Sequence, residues 1–354
     1  MSFVVPFEKE TEGHTYACYR IPSLLALPNG RRLLFAEARK NCLDGPFGDH
    51  IDVVLKVSTD AGNSWSGLRV VHGEATPAGG KPVWIGNPSP ILLEGAAHRG
   101  HVLLVCSRDN KNVLVLRSTD SGASFSKPID ISAQVVAKTW QYVATGPAHG
   151  LQLASGRLLV CCDHSTSADP NSRHIPGAST AIRSHSMWSD DFGAHWSVSD
   201  SLENGDECAI AVATSNGSLL MQMRQSTGNS TLKQRQFSIS TSGGSSWSAP
   251  STGSFPYVEG SNDCEASMVR LPDTDATRLI MAAPHHKAGR LNMTVFALDE
   301  HAQGGGRWRA VKQVDAGASG YSAMAAVNGS AVDLAWESAG SIRYATLQVG
   351  HGWL

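Results

Sequence analysis

Three arginines stand where a guanidinium is costly to place. Arg20 opens the apolar run Tyr19-Arg20-Ile21-Pro22-Ser23-Leu24-Leu25. Arg224 closes Leu219-Leu220-Met221-Gln222-Met223-Arg224, and Arg290 precedes Leu291-Asn292-Met293-Thr294-Val295. Burying an unpaired guanidinium carries a heavy desolvation penalty. Each one alone reads as an edge-strand arginine with its head in water. Three of them, each beside a strand in a different repeat, point to a shared anion site. The run Cys161-Cys162-Asp163-His164 also carries ligand-type residues. Adjacent side chains on a strand face opposite ways, so its two cysteines do not share one ion, and the run reads as a buried strand.

The elements that would position the arginines show themselves in a repeat. Ser, Asp, Gly and an aromatic recur as Ser58-Thr59-Asp60-Ala61-Gly62-Asn63-Ser64-Trp65, as Ser118, Asp120, Gly122 and Phe125, and as Ser189, Asp191, Gly193 and Trp196. A fourth copy, Ser240, Gly244 and Trp247, has Ser242 in place of Asp, which is expected to weaken that turn. The starts lie 60, 71 and 51 residues apart. Asp accepts bonds from nearby backbone N–H groups, Gly supplies the positive-φ corner, and the aromatic packs the turn down. Apolar runs precede three copies (Val53–Val57, Val113–Leu116 and Phe237–Ile239) and read as strands. Hairpins at this spacing predict an all-β chain, a six-bladed β-propeller forming one domain over residues 1–354.

Composition narrows the classes. With 354 residues, 41% hydrophobic and 17% charged, the chain can bury a sizeable core and is neither disordered nor a charged coil. Lys+Arg 29 against Asp+Glu 31 leaves a net charge of -2, which argues against nucleic acid as a partner. Apolar runs such as Val102–Cys106 are too short to span a bilayer, so no transmembrane segment is expected. Seven cysteines is an odd number, so at least one thiol has no partner within the chain. Met1-Ser2-Phe3-Val4-Val5-Pro6 is not a secretory leader, which leaves a cytoplasmic protein or a secreted or lysosomal one whose leader lies outside this chain. Sequons at Asn216, Asn229, Asn292 and Asn328 do not settle the compartment.

Taken together, the chain resembles a sialidase (exo-α-neuraminidase). Tyr19-Arg20-Ile21-Pro22 is similar to the family's [F/Y]-R-I-P motif, and the Ser-x-Asp-x-Gly-x-x-Trp copies are similar to its Asp boxes. Phe35–Arg39, Gly146–Gly150, Glu207-Cys208 and Gly320-Tyr321-Ser322 resemble further family segments in the expected order. The resemblance implies that Arg20, Arg224 and Arg290 grip the sialic acid carboxylate, with Glu337 holding Arg20 in place. It implies Tyr321 as nucleophile, Glu207 as its base, and Glu37 and Arg39 as further substrate-binding residues. An Asp after Arg39 would be the acid/base: Asp44, by counting forward from Glu37 and Arg39 on the same side of the loop, with Asp49, by counting back from Ser58, as the alternative. Read without the resemblance, Tyr321 is a turn tyrosine and Glu207 a loop acid. The implied activity is retaining hydrolysis of terminal α-linked sialic acids from oligosaccharides, glycoproteins or glycolipids, with no metal and no organic cofactor. Transfer of sialic acid to another sugar, or sialoside binding without catalysis, are the competing readings.

Overall fold

The computed structural model describes residues 3–9, 15–95, 97–166, 182–203, 205–213, 217–225, 234–252, 255–256, 264–272, 278–299, 306–350 and 353. Among them, the strands form six antiparallel sheets arranged as the blades of a β-propeller. Blade I comprises Cys18–Ala26, Arg32–Arg39, Ile51–Ser58 and Arg69–His72; blade II comprises Ile85–Leu92, Val102–Arg108, Asn112–Ser118 and Ile129–Asp130. Blade III is built on Trp140–Thr145, Leu158–Thr166 and Ile182–Ser189, and blade IV on Gly205–Val212, Leu219–Gln225 and Gln236–Ser240. Blade V runs through Ser267–Leu271, Arg278–Pro284, Leu291–Asp299 and Arg307–Ala318. Blade VI holds Ser322–Asn328, Ala331–Ser338 and Ser341–Gln348, and its outer strand is Val4–Phe7 from the other end of the chain. Val4 pairs with Tyr344 and Phe7 with Ile342, so the first strand closes the ring on the last blade.

The core is divided among the blade junctions. Leu33, Phe35, Ile85 and Leu104 pack between blades I and II. Phe7, Tyr19, Leu34, Ala335 and Tyr344 pack between VI and I. A middle strand is therefore covered on both faces, and Arg32–Arg39 and Ala331–Ser338 are buried at every position. That two-sided burial is why these strands read as apolar runs rather than as alternating ones.

The repeated serines end the third strand of blades I to IV. In the first box Ser58 Oγ accepts from Gly62 N at 2.8 Å, and Asp60 Oδ1 accepts from Ser64 N at 2.9 Å. The fourth box corrects the expectation of a weakened turn: Ser242 Oγ accepts from Ser246 N at 2.9 Å, the bond Asp makes elsewhere, and Gly244 N reaches Ser240 Oγ at 2.9 Å. Each box glycine has positive φ and lies against the preceding blade. A Cβ on Gly62 would meet the Tyr344 ring at 2.2 Å, and one on Gly122 would meet Leu33 at 2.6 Å. The boxes thus stitch blade to blade.

Disulfides join Cys18 to Cys42 and Cys161 to Cys208, and Cys106, Cys162 and Cys264 are buried thiols. The Cys161-Cys162 run is a buried strand, with one cysteine bonded to the next blade. Asn216 and Asn229 lie outside the described residues; Asn328 is exposed and Asn292 half-buried.

Candidate active site

In an antiparallel blade, the start of the first strand, the end of the second and the start of the third lie at the same end. Arg20 pairs with Glu37 in the first two strands of blade I, Glu207 lies near the start of the first strand of blade IV, and Arg224 near the end of the second. Arg290 immediately precedes the third strand of blade V, and Tyr321 the first strand of blade VI. Side chains separated by hundreds of residues in sequence thereby line one cleft of about 260 Å³, which holds Arg20, Glu37, Arg39, Asp44, Glu207, Arg224, Arg290 and Tyr321. The box turns follow the third strands and so sit at the opposite end.

Tyr321 is buried and lines the cleft. Its hydroxyl donates to Glu207 Oε1. Arg224 Nη1 donates both to Glu207 Oε2 at 2.5 Å and to the Tyr321 hydroxyl at 2.9 Å. The guanidinium carbons of Arg20 and Arg290 lie 5.1 and 5.3 Å from the centre of the Tyr321 ring. The three arginines therefore surround one ring. Burial, then the charge of Glu207, push the Tyr321 phenol well above its ordinary range, while Arg224, Arg290 and Arg20 pull the other way. The phenol rests protonated, with the acceptor for its proton already in contact.

Glu337 organises two neighbours. It takes Arg20 Nε and Nη2 at 3.2 and 3.3 Å, a fork-to-fork pair, and it also accepts from the amides of Ile21 at 2.8 Å and Tyr321 at 3.2 Å. This close approach explains Gly320, where a Cβ would lie 2.2 Å from Glu337 Oε2. Burial opposes the charge on Arg20, and Glu337, Tyr321 and Asp44 more than offset it, so its pKa is raised. On the other wall, Glu37 Oε2 accepts from Arg39 Nε and Nη2 at 2.9 and 2.6 Å, and its Oε1 takes Asn87 N at 2.8 Å.

The two candidate aspartates part company. Asp44 lies in the cleft with its side chain 51% exposed, 2.5 Å from Arg39 and 3.2 Å from Arg20. Asp49 is fully buried and faces away; it accepts from the amides of Asn41 and Leu43, each at 2.9 Å, and from the Asn41 side chain at 3.1 Å. Asp49 shapes the loop that carries Asp44, and the Cys18–Cys42 bond ties that loop to blade I.

Glu207 is a strand residue rather than a loop acid, and Tyr321 is buried rather than a surface-turn tyrosine. The blade IV ladder slips between Gly205 and Cys208, so consecutive Asp206 and Glu207 both reach Arg224, with Asp206 Oδ2 3.8 Å from its Nε. Asp206 was not legible as a site residue, nor were Trp84, Asn87, Asn110, Phe47 and Tyr142, which complete the cleft wall. They come from several turns and strand starts, and none has a motif; the one available signal was the position of Trp84, Asn87 and Tyr142 at or near the start of a first strand.

Residues 33–334 match the family model described as a BNR repeat-like domain. The chain is 26% identical over 362 residues to a sialidase of Bacteroides fragilis, covering 94% of this chain and 62% of that protein. It is 30% identical over 292 residues to human Sialidase-4, covering 77% of this chain and 57% of that one. The chain thus spans about three-fifths of the length of these relatives. Among solved structures, a Hadza microbial sialidase superposes with a TM-score of 0.80 at 19% identity, covering 98% of this chain and 68% of the other. The intramolecular trans-sialidase of Ruminococcus gnavus superposes with a TM-score of 0.75 at 15% identity, over 98% and 97% of the two chains. The chain belongs to the sialidase family of BNR-repeat β-propellers.

Proposed function

We propose that the chain is a retaining exo-α-sialidase that releases terminal α-linked sialic acids from glycoconjugates through a covalent bond to Tyr321. The observation that carries this reading is the contact set Tyr321–Glu207–Arg224, beneath Arg20 and Arg290. The anomeric carbon of sialic acid bears its own carboxylate. A carboxylate nucleophile would meet that anion head-on, whereas a neutral phenol does not, and sialidases are a known tyrosine exception among retaining glycosidases. Arg20, Arg224 and Arg290 pair with the substrate carboxylate, and Glu337 keeps the Arg20 fork oriented.

In the first step the Tyr321 oxygen bonds to the anomeric carbon while Glu207 takes the phenol proton. The bond to the aglycone oxygen breaks, and Asp44 supplies that oxygen with a proton. In the second step Asp44 takes a proton from water, the water oxygen bonds to the anomeric carbon, and Tyr321 leaves with the proton held by Glu207. Two inversions give net retention. Glu37 and Arg39 position Asp44 and line the sugar's other side. The substrates are sialylated oligosaccharides, glycoproteins or glycolipids, and the two disulfides fit an oxidising compartment.

The test uses a fluorogenic sialoside with and without lactose, followed by a 2,3-difluoro sialic acid inactivator and peptide mapping. Hydrolysis with the label on Tyr321 is expected. Sialyllactose as the main product would reassign the chain to transfer. A label on a carboxylate would remove Tyr321 as nucleophile, and no turnover of any sialoside would leave a binding propeller.

A further inference from the structure

Glu265 lies two residues before the first strand of blade V, as Tyr321 lies one residue before that of blade VI, and it is fully buried. No step above uses it. Its Oε2 accepts from the amide of Ser322, the residue after Tyr321, at 2.8 Å. Glu337 takes the amide of Tyr321 itself. Two consecutive amides at the nucleophile are therefore held by two different carboxyl groups from two different blades.

The segment around Glu265 is fixed in turn. Cys264 O accepts from Arg235 Nη2 at 2.7 Å, Arg235 Nη1 donates to Gln222 Oε1, and Gln222 Nε2 donates to Ala266 O at 2.6 Å. Gln222 is two residues before Arg224 on the same strand. Ser267 N donates to Ser322 Oγ at 3.2 Å, and that hydroxyl donates on to Ala282 O at 2.9 Å. The chain of bonds runs from the strand of Arg224, through residues 264–267, to the backbone beside Tyr321.

We propose that Glu265 is a positioning residue that, through the Ser322 amide, holds Tyr321 in contact with Glu207. This rests on the sialidase reading given above. The other oxygen, Oε1, has no hydrogen-bond partner among the described residues. Arg235, Glu207 and Glu337 are the charged groups that act on it. Burial raises its pKa well above the ordinary carboxylate range; the Ser322 amide and Arg235 oppose that shift, while Glu207 and Glu337 add to it. The role proposed for Glu265 rests on its acceptor oxygen at the Ser322 amide, a contact that needs no negative charge.

The experiment compares Glu265→Gln, which keeps an acceptor oxygen, with Glu265→Met, which fills similar space without one. Both are made in the full chain and assayed on a fluorogenic sialoside for kcat, KM and the pH profile of kcat. A shift of about an ångström at a reacting atom can cost on the order of 100-fold. Glu265→Met is expected to lose at least about tenfold in kcat with KM within about twofold, and Glu265→Gln to restore kcat with an unmoved pH profile. Overturning results are a Met variant with parental kcat, a Gln variant as poor as Met, KM rising in step with the loss, or a shifted acid limb in Glu265→Gln. Should Glu265→Met not fold, Glu265→Ser takes its place, being too short to reach the amide. Crystal structures of the variants read the same point without activity. Tyr321 withdrawn from Glu207 in Met or Ser but in place in Gln supports the role, and an unmoved Tyr321 removes it. An inactive parent would count against the reaction, and these structures still decide the role of Glu265.

Discussion

Replacing Asp44 by Asn separates proton donation from every other effect of the loop. Asn keeps the size of the side chain and one acceptor oxygen beside Arg39 and Arg20, but it cannot deliver a proton. General acid catalysis is worth about 10²–10⁴ in rate, or about 3–5.5 kcal/mol of barrier. On sialyllactose, whose leaving group is a sugar hydroxyl, kcat/KM should fall by that range. An activated aryl sialoside expels a stable phenolate without help, and kcat/KM reports only the first bond-breaking step, so its loss should be far smaller. Its kcat should still fall, because no base remains to activate water in the second step, and the glycosyl-enzyme should accumulate as a burst. Asp49→Asn works differently. It trades a charged acceptor of two backbone amides for a side chain that presents an N–H to one of them, at a cost of about 1.5–3 kcal/mol in loop order. That loss should fall on both substrates alike and should lower the melting temperature. Parallel steady-state assays on the two substrates, with stopped-flow on the aryl one, make the measurement. Leaving-group dependence in Asp49→Asn, or equal losses on both substrates in Asp44→Asn, would refute the assignment.

Arg290→Lys keeps the charge but not the planar fork, and it should cost about 1.5–3 kcal/mol in transition-state binding, or about 10- to 150-fold in kcat/KM, with unchanged melting. Activity within about twofold of the parent would take Arg290 out of the carboxylate site. Cys42→Ser frees a loop whose ends are 24 residues apart and should destabilise the fold by about 3 kcal/mol. It should also reduce cleavage of sialyllactose, since Asp44 is two residues along, and a parental denaturation midpoint would contradict the tether. Burial holds His149 down to about 4. The unfolded chain protonates it near about pH 6.5, so native stability is complete above that pH and declines as pH falls toward the native value. His149→Gln should flatten the fall of melting temperature in that window, and an unchanged slope would show that His149 is not its source.

The sequence by itself made the blades legible and named most of the candidate site residues. Box turns are local: Asp60 or Asp120 satisfies amides within four residues, and Gly62 or Gly122 turns the corner, so the pattern is visible in a few letters. Spacing then set the number of blades, and the order of motifs singled out Arg20, Glu207, Arg224, Arg290, Tyr321 and Glu337. The residues themselves left Tyr321 as a turn tyrosine and Glu207 as a loop acid, because local context does not reveal burial or a partner 114 residues away. Only the closed ring brings the start of blade VI over the start of blade IV and places Arg224 on both groups. Counting favoured Asp44, whose anchors Glu37 and Arg39 lie on the same side of the loop; the structure adds that the loop folds Asp49 inward onto its own amides and leaves Asp44 facing two arginines. Tyr142, Asn87 and Trp84 stayed silent because what sets them apart is their position at the mouth of the propeller. That position is set by the strand direction and closure of all six blades, and no short stretch of sequence records it.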